Sequence, residues 1–506
     1  MSDTAEQLTA ARRRIAAAYD PGLLEDAGRR LSGLLAANLA RAERSEGPVL
    51  PWAEPSEAVR EARAFLTAGG DGEVRFAGLV QEMLERGLNL HDPRYIGHQV
   101  PAPVPLAGLF DAVGSVTNQC MAIYEMGPWA TAVELAMVQE LGEAVGWAPG
   151  AFAGSVTHGG SLANLTGLLT ARNVALGEAW DQGLAGAGRA PVLVAHADAH
   201  YSVARAAGIL GLGSRQTVRV GLDARGRMDP RLLDDELTRL RSGQRPVVAV
   251  VACACATPTG AFDPLEDIAA VCRRHGVWLH VDAAHGGAAL LSARHRGLLA
   301  GIEQADSVVW DAHKMLFVPA LCAFVLYRDR ARIFDAFKQD APYLFDPAAP
   351  GLADYDSGVR TVECTKRSAA FGLWGVWALF GRQLFADMVD VTYALGRELY
   401  GKLTEADDFV PLHEPQCNIV VFRHVPAALR DAPPGRVGDF QLELRRRLIE
   451  SGEFYIVPAK PGGVGALRVS IMNPLTTTEH LDQLLEALRR HGRELLAAEP
   501  AGPRET

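Results

Sequence analysis

Between about Arg94 and Phe385 the sequence keeps switching between two periods, and that rhythm constrains the fold more than any other feature. Short apolar runs (PVLVAHA, TVRVGL, PVVAVVACA, VWLHVDAA, DSVVWDAH and LCAFVLYR) are separated by stretches with helical spacing, such as DPRLLDDELTRLRS and DPLEDIAAVCRRHG. The runs are apolar throughout rather than alternating, as strands covered on both faces are. Strand, helix, strand at this spacing predicts an α/β fold with a mostly parallel sheet. Ligands of such sheets sit beyond the carboxyl ends of the strands. The residues read as ending these strands are His200, Asp282 and the pair His313–Lys314.

The flanking regions differ. Residues 1–93 read as an N-terminal helical arm, in which LLEDAGRRLSGLLAANLARA presents one apolar face with arginines opposite. It has no strands and too little apolar surface for its own core, so it is expected to pack on something else, such as a second subunit. Residues 94–385 form the expected large domain, and 386–506 a smaller α+β domain containing CNIVVFRH, ALRVSIMN and a final helix, TTTEHLDQLLEALRRHGREL. No internal repeat is visible.

A net charge of -10 argues against nucleic-acid binding, which needs a concentrated positive surface. The most apolar run, Pro246 to Ala256, is far shorter than the roughly 20 residues a membrane helix requires. No targeting segment is visible in MSDTAEQLTAARRRIAAAYD, and the expectation is a soluble, cytoplasmic protein without a membrane partner. Seven scattered cysteines, an odd number, do not suggest a disulfide framework. Cys253 and Cys255 form a C-x-C pair inside an apolar run, so they read as buried filler, with half of a metal site as the alternative.

Four segments carry chemistry. In DSVVWDAHKMLFVP, Lys314 follows a strand and has apolar neighbours; desolvation favours the neutral amine that imine formation needs. The alternative is a surface lysine. In LHVDAAHGG, Asp282 closes an apolar strand, where a carboxylate needs a cationic partner such as a protonated ring nitrogen. A helix cap, or a metal site with His280 or His285, is the alternative. In SVTHGGSLANL, Gly159, Gly160 and Ser161 precede a helix whose first amides, with the hydroxyl, make a phosphate cradle; a capped turn is the plainer reading. In HADAHYSVARAAGILG, His200 stands where strand gives way to helix, placed either to stack on an aromatic cofactor or to cap the helix.

These motifs occur together in a fixed order. HDPRYIGHQ, YEMGP, THGGSLANL, DAHYSVARAAGILG, TGAFDPLEDIA, WLHVDAAHGG, ADSVVWDAHKML and LRVSIMNP run from about residue 91 to 475. In this set the chain resembles the pyridoxal 5′-phosphate (PLP)-dependent group II amino-acid decarboxylases, which include glutamate, aromatic-amino-acid, cysteine-sulfinate and diaminobutyrate decarboxylases. The GHQV, YEMGP, WDAHKM and ECTKR segments look closest to the diaminobutyrate branch. The resemblance implies a fold-type I PLP enzyme, usually a homodimer with interfacial active sites. It gives Lys314 the Schiff base, with His313 before it. It pairs Asp282 with the pyridine nitrogen, sets Ala284 under the ring and His200 on its other face, and assigns Gly160 and Ser161 to the phosphate. Thr257 falls near a cofactor-contacting threonine, although CATPTG departs from the usual Gly-Thr-Thr. Arg468 matches the arginine for the substrate α-carboxylate, and Gln99 a contact to the substrate side chain; a surface strand arginine is the alternative for Arg468.

One departure stands out. Many such enzymes carry a loop tyrosine that protonates the carbanion after CO₂ leaves. Spacing back from YDSG puts Gly351 at that position, with Tyr343 and Tyr355 nearby; Tyr355 is the candidate carried forward. The expected activity is therefore L-amino-acid α-decarboxylation, on 2,4-diaminobutyrate or an acidic amino acid. The competing readings are decarboxylation-coupled oxidative deamination to an aldehyde, another PLP reaction in a biosynthetic pathway, and a non-catalytic binding protein on the same fold. No metal is expected.

Overall fold

In the computed structural model, which describes residues 2–67, 72–184, 188–337 and 355–498, the alternating region folds around one seven-stranded sheet. Its strands are β1 (Ala153–Thr157), β2 (Val192–His196), β3 (Thr217–Val220), β4 (Val247–Cys253), β5 (Trp278–Asp282), β6 (Ser307–Asp311) and β7 (Ala323–Tyr327). They lie in the order β1-β7-β6-β5-β4-β2-β3. The pairs β3/β2, β2/β4, β4/β5 and β5/β6 are parallel, and β7 runs antiparallel to both β6 and β1.

Period-two geometry explains the unbroken apolar runs. Ala249 and Val251 of β4 join the core on one face, and Val250 and Ala252 the core on the other. A strand buried on both faces has no polar side to show. The helix Gly160–Leu176 covers one face, with Asn164, Leu168 and Ala171 buried beneath it. The six runs read from the sequence form β2 to β7. The sequence reading did not single out β1: AGSVT is short and holds glycine and serine where strand formers are expected.

A second, four-stranded antiparallel sheet follows: β8 (Phe409–Pro411), β9 (Ile419–His424), β10 (Val457–Ala459) and β11 (Ala466–Ser470), in the order β8-β9-β11-β10. Phe422, Leu444, Leu467 and Leu488 form its core. The long helix Phe371–Glu405 joins the two sheets and breaks at Gly381, where φ is 70°. Beyond the break, Val389 and Tyr393 still pack in the large core, whereas Leu399 and Leu403 pack in the small one.

At the N-terminus, the helices Ser2–Ala18, Pro21–Glu43, Pro55–Thr67 and Gly72–Arg86 leave Leu8, Ile15, Leu24, Leu66 and Met83 exposed. Among the described residues no helix is long and apolar enough to cross a membrane.

Candidate active site

The carboxyl ends of β1, β4, β5 and β6 open onto one cavity of about 340 Å³, within the usual range for small-molecule sites. His158, Gly159, Gly160, Ser161, His200, Thr257, Asp282, Ala284, His313 and Lys314 all line it. Residues read from five separate segments are thus brought together. A larger cleft, about 860 Å³, lies at the opposite ends of β4 and β5, where Asp306 is paired with Arg328 at 2.7 Å. It contains none of the residues singled out from the sequence.

The cradle begins where β1 ends. Gly159 has φ of 105°, a conformation that favours glycine. At Gly160 a Cβ would lie 2.5 Å from Asp311 Oδ2, so a side chain there has no room. The helix then starts at Gly160 with its first amides free of side-chain caps. This gives an anion site at a helix N-terminus that glycine alone permits.

β1 is held by a buried ion pair. Lys366 Nζ donates to Glu134 Oε1 at 2.6 Å, Ser155 Oγ at 3.1 Å and the Val156 carbonyl at 2.9 Å, with its side chain only 1% exposed. Removing one partner strands the other charge. Glu134→Ala is expected to cost about 3–5 kcal/mol of stability, read as a lower urea midpoint at unchanged slope.

At the other end of the cavity, Asp282 closes β5. Its Oδ1 accepts the Ala284 backbone N–H at 3.1 Å, and its Oδ2 accepts Asn164 Nδ2 at 3.0 Å. The contacts of Asn164 set the direction of a buried chain. Because its Nδ2 also donates to Ser202 Oγ at 3.1 Å, its Oδ1 accepts from His280 Nε2 at 2.9 Å. His280 Nδ1 then accepts the Ser307 hydroxyl at 2.7 Å, and Ser307 Oγ accepts Trp278 Nε1–H at 2.9 Å. Burial lowers the His280 pKa to about 4, so this ring is neutral.

The same chain fixes His200. Its Nδ1 accepts from the Ser202 hydroxyl at 2.8 Å and faces the Ser202 amide at 3.3 Å, which leaves the ring proton on Nε2. Burial holds this imidazole below its usual pKa. His200 is not a strand-end residue as the sequence suggested. β2 ends at His196, and His200 caps the helix Tyr201–Ile209 while still lining the cavity. The two readings left open for it, cap and cavity residue, are compatible.

The metal alternatives lose their ligands to other partners. His280 is taken up by Asn164 and Ser307, and His285 Nε2 bonds Asn418 Oδ1 at 2.9 Å. Cys253 ends β4, and Cys255 faces Cys417 across 3.7 Å.

Lys314 and His313 follow β6. Lys314 Nζ lies 3.3 Å from Asp311 Oδ2, with 21% of the lysine side chain exposed toward the cavity mouth. His313 Nδ1 bonds the Cys322 carbonyl at 2.8 Å. An anion cradle, an amine and an oriented carboxylate therefore share one cavity, the donor set that the expected cofactor's phosphate, aldehyde and ring nitrogen require.

Arg468 stands on β11 with only 6% of its surface exposed, and its Nε and Nη2 find no partner. Gln99 Nε2 is also buried without one, and neither residue lines the cavity around Lys314. The chain from Ile96 to Ala102 runs beside this strand, with Ser470 N–H donating to the Ile96 carbonyl at 2.9 Å. Tyr355 is not brought into the cavity: it is 43% exposed and its ring meets Tyr124 at 5.7 Å. Gly351 and Tyr343 lie outside the described residues. The sequence reading missed Asp311, Asn164 and the pair His158–Glu363, joined at 3.0 Å. Asp311 had one signal, its three-residue spacing from Lys314 in WDAHK.

A family model described as the pyridoxal-dependent decarboxylase conserved domain matches residues 81–425. The chain is similar to the mouse acidic amino acid decarboxylase GADL1, 31% identical over 457 residues that cover 88% of this chain and 82% of that one. The human protein of the same name is 30% identical over 455 residues, covering 88% and 87%. The crystal structure of mouse CSAD in apo form superposes with a TM-score of 0.86 at 29% identity, covering 93% of this chain and 99% of that one. Rice TDC with PLP and tryptamine, at 22% identity and a TM-score of 0.85, shares the fold over 94% of this chain and 99% of its own.

Proposed function

Because the chain belongs to the pyridoxal-dependent decarboxylase family and is a PLP-dependent amino-acid decarboxylase, we propose that its substrate is an acidic L-amino acid. The observation that carries this reading is the positive charge of Arg468 and Arg445 around His98 and Gln99. A buried guanidinium with two unpartnered donors is costly unless an anion completes it. The surroundings extend the argument to the substrate's other end. Gln99 Nε2 offers another unpartnered donor, and beside it burial, then the charges of Arg468 and Arg445, hold the His98 imidazole below its usual pKa. The His98 ring there senses two positive charges, Arg468 and Arg445. That setting suits a second carboxylate and repels the side-chain ammonium of 2,4-diaminobutyrate. The acidic-substrate names of the GADL1 relatives point the same way.

When bound, the cofactor supplies an electron sink for the pair left behind by departing CO₂. The chain's residues prepare that step. Lys314 Nζ would hold the cofactor covalently and is the cavity's amine nucleophile. Asp282, fixed by Asn164 and the Ala284 amide, keeps a proton on the ring nitrogen. Gly160 and Ser161 would hold the phosphate, and Thr257 and Ala284 line the cavity that would take the ring. Arg468 grips the α-carboxylate through a planar fork, which sets the direction of the bond that breaks. His200 would offer its Nε2 proton to the bound group. A homodimer completes the proposal, with a second copy covering the exposed apolar residues of the N-terminal helices.

A panel of L-amino acids tests the substrate, with CO₂ release and mass-spectrometric identification of product. Turnover of aspartate, glutamate or cysteine sulfinate at least about tenfold above 2,4-diaminobutyrate and aromatic amino acids is expected, the ratio that about 1.4 kcal/mol of preference gives. Preferential turnover of diaminobutyrate refutes it. Oxygen uptake with peroxide and ammonia release favours oxidative deamination instead.

A further inference from the structure

Asp311 is a buried charge that the steps above leave unused. It ends β6 with 2% of its side chain exposed. Its Oδ2 faces Lys314 Nζ at 3.3 Å and His313 Nε2 at 3.6 Å, whereas its Oδ1 is buried with no hydrogen-bond partner. The carboxyl lies against the first residue of the cradle: a Cβ built at Gly160 would be 2.5 Å and 2.8 Å from its two oxygens. The other titratable groups that sense it are Asp282 from β5, His200 from the cap of Tyr201–Ile209, and the Cys322 thiol ahead of β7. Lys314 is its closest cation. Burial already pushes this carboxyl above the usual aspartate range, and Lys314 and His313 pull it back down.

Cofactor binding removes that balance. The lysine nitrogen would be taken into the covalent link with loss of one water, and a phosphate dianion would arrive in the cradle that Asp311 touches. A buried carboxylate facing a second anion neutralises rather than remaining charged. We propose that Asp311 takes up one proton from solvent as the phosphate enters, and that its protonated carboxyl then donates to a phosphate oxygen. One O–H bond forms at Asp311, one proton leaves bulk water, and nothing is oxidised or reduced. The proposal rests on reading Gly160–Ser161 as the phosphate site. It makes cofactor affinity fall as pH rises, by up to about tenfold in Kd per pH unit.

Calorimetric titration of the full-length apoprotein with PLP, in non-amine buffers of different ionisation enthalpy near pH 7.5, counts the protons taken up. The wild-type protein is expected to take up about one proton more than Asp311→Asn. The ³¹P resonance of the bound cofactor is expected to stay at its dianion position from about pH 6 to 8, placing the proton on the protein. Equal uptake by the two proteins overturns the proposal, as does a phosphorus resonance showing the monoanion. Should D311N fail to fold, the wild-type protein decides alone: pyridoxal, which lacks the phosphate, must bind without the extra proton, and equal uptake with PLP and pyridoxal overturns it. A protein that binds no PLP at any pH refutes the cradle reading itself, an outcome distinct from binding without proton uptake.

Discussion

Lys314→Ala is expected to abolish the cofactor's protein-bound absorption band and to lower decarboxylation on the order of 10³-fold or more, the scale on which loss of an essential covalent group acts. The structure adds a second consequence that a surface lysine would not have. Lys314 is the closest cation to Asp311, at 3.3 Å. Without it, a carboxyl with 2% side-chain exposure is left with one oxygen unpartnered and the other facing only His313 Nε2 at 3.6 Å. Breaking such a pair from one side costs about 3–5 kcal/mol; the cost here falls toward the low end because the lysine is partly solvated. The sign with pH follows from Asp311. Its pKa is raised in the folded protein, so the variant keeps its stability below the ordinary aspartate range and loses it as pH climbs through the raised value. Adding Asp311→Asn to the alanine variant should restore stability at neutral pH without restoring activity. Urea unfolding of the single and double variants near pH 5 and pH 8, with absorbance spectra, checks both halves. An unchanged spectrum in Lys314→Ala overturns the assignment, and equal stability of the two variants at pH 8 overturns the pairing.

The sequence made the lysine legible for the same reason that it hid the aspartate. Lys314 and Asp282 are polar groups at the ends of apolar runs, a contrast visible in one dimension. β2 and β4 to β7 were readable likewise, since a strand covered on both faces has an unbroken apolar signature, whereas the edge strand β3 exposes Arg219. Asp311 also ends such a run, but its importance comes from Gly160, which reaches it only once β1 folds back beside β7. The same holds for Asn164. Read in GGSLANL it is an ordinary helical asparagine. In space it sets the direction of hydrogen bonds between His280, Asp282 and Ser202, which come from distant parts of the chain. Periodicity reports burial well and says nothing about which buried polar groups meet. The junction of the two sheets was obscured by the same kind of limit: Phe371–Glu405 is one helix whose two ends serve different cores. The division expected at 385/386 lies inside that helix.

Arg468→Met should separate activity from stability in opposite directions. In the substrate-free protein this arginine is 6% exposed with Nε and Nη2 unpartnered, and burial holds its pKa below the usual arginine value. A charge kept in this state destabilises the fold, so the unbranched, apolar methionine should leave stability unchanged or raise it by about 1 kcal/mol or more. An arginine whose role was to brace β11 would behave in the opposite way, because its removal would lower the unfolding midpoint. Catalysis should suffer where stability does not. Loss of a buried, charge-assisted contact to a carboxylate is worth about 2–5 kcal/mol, a fall in kcat/KM of roughly 30- to 5,000-fold. Part of that loss should appear in kcat, since the grip also orients the bond to be broken. Lysine at the same position keeps the charge but not the planar fork, and should recover only a minor part. Steady-state kinetics on the preferred amino acid, alongside urea unfolding without substrate, gives both readings from one preparation. A variant that loses stability while its kcat/KM stays within a few-fold of wild type would make Arg468 structural and would overturn its grip on the substrate α-carboxylate.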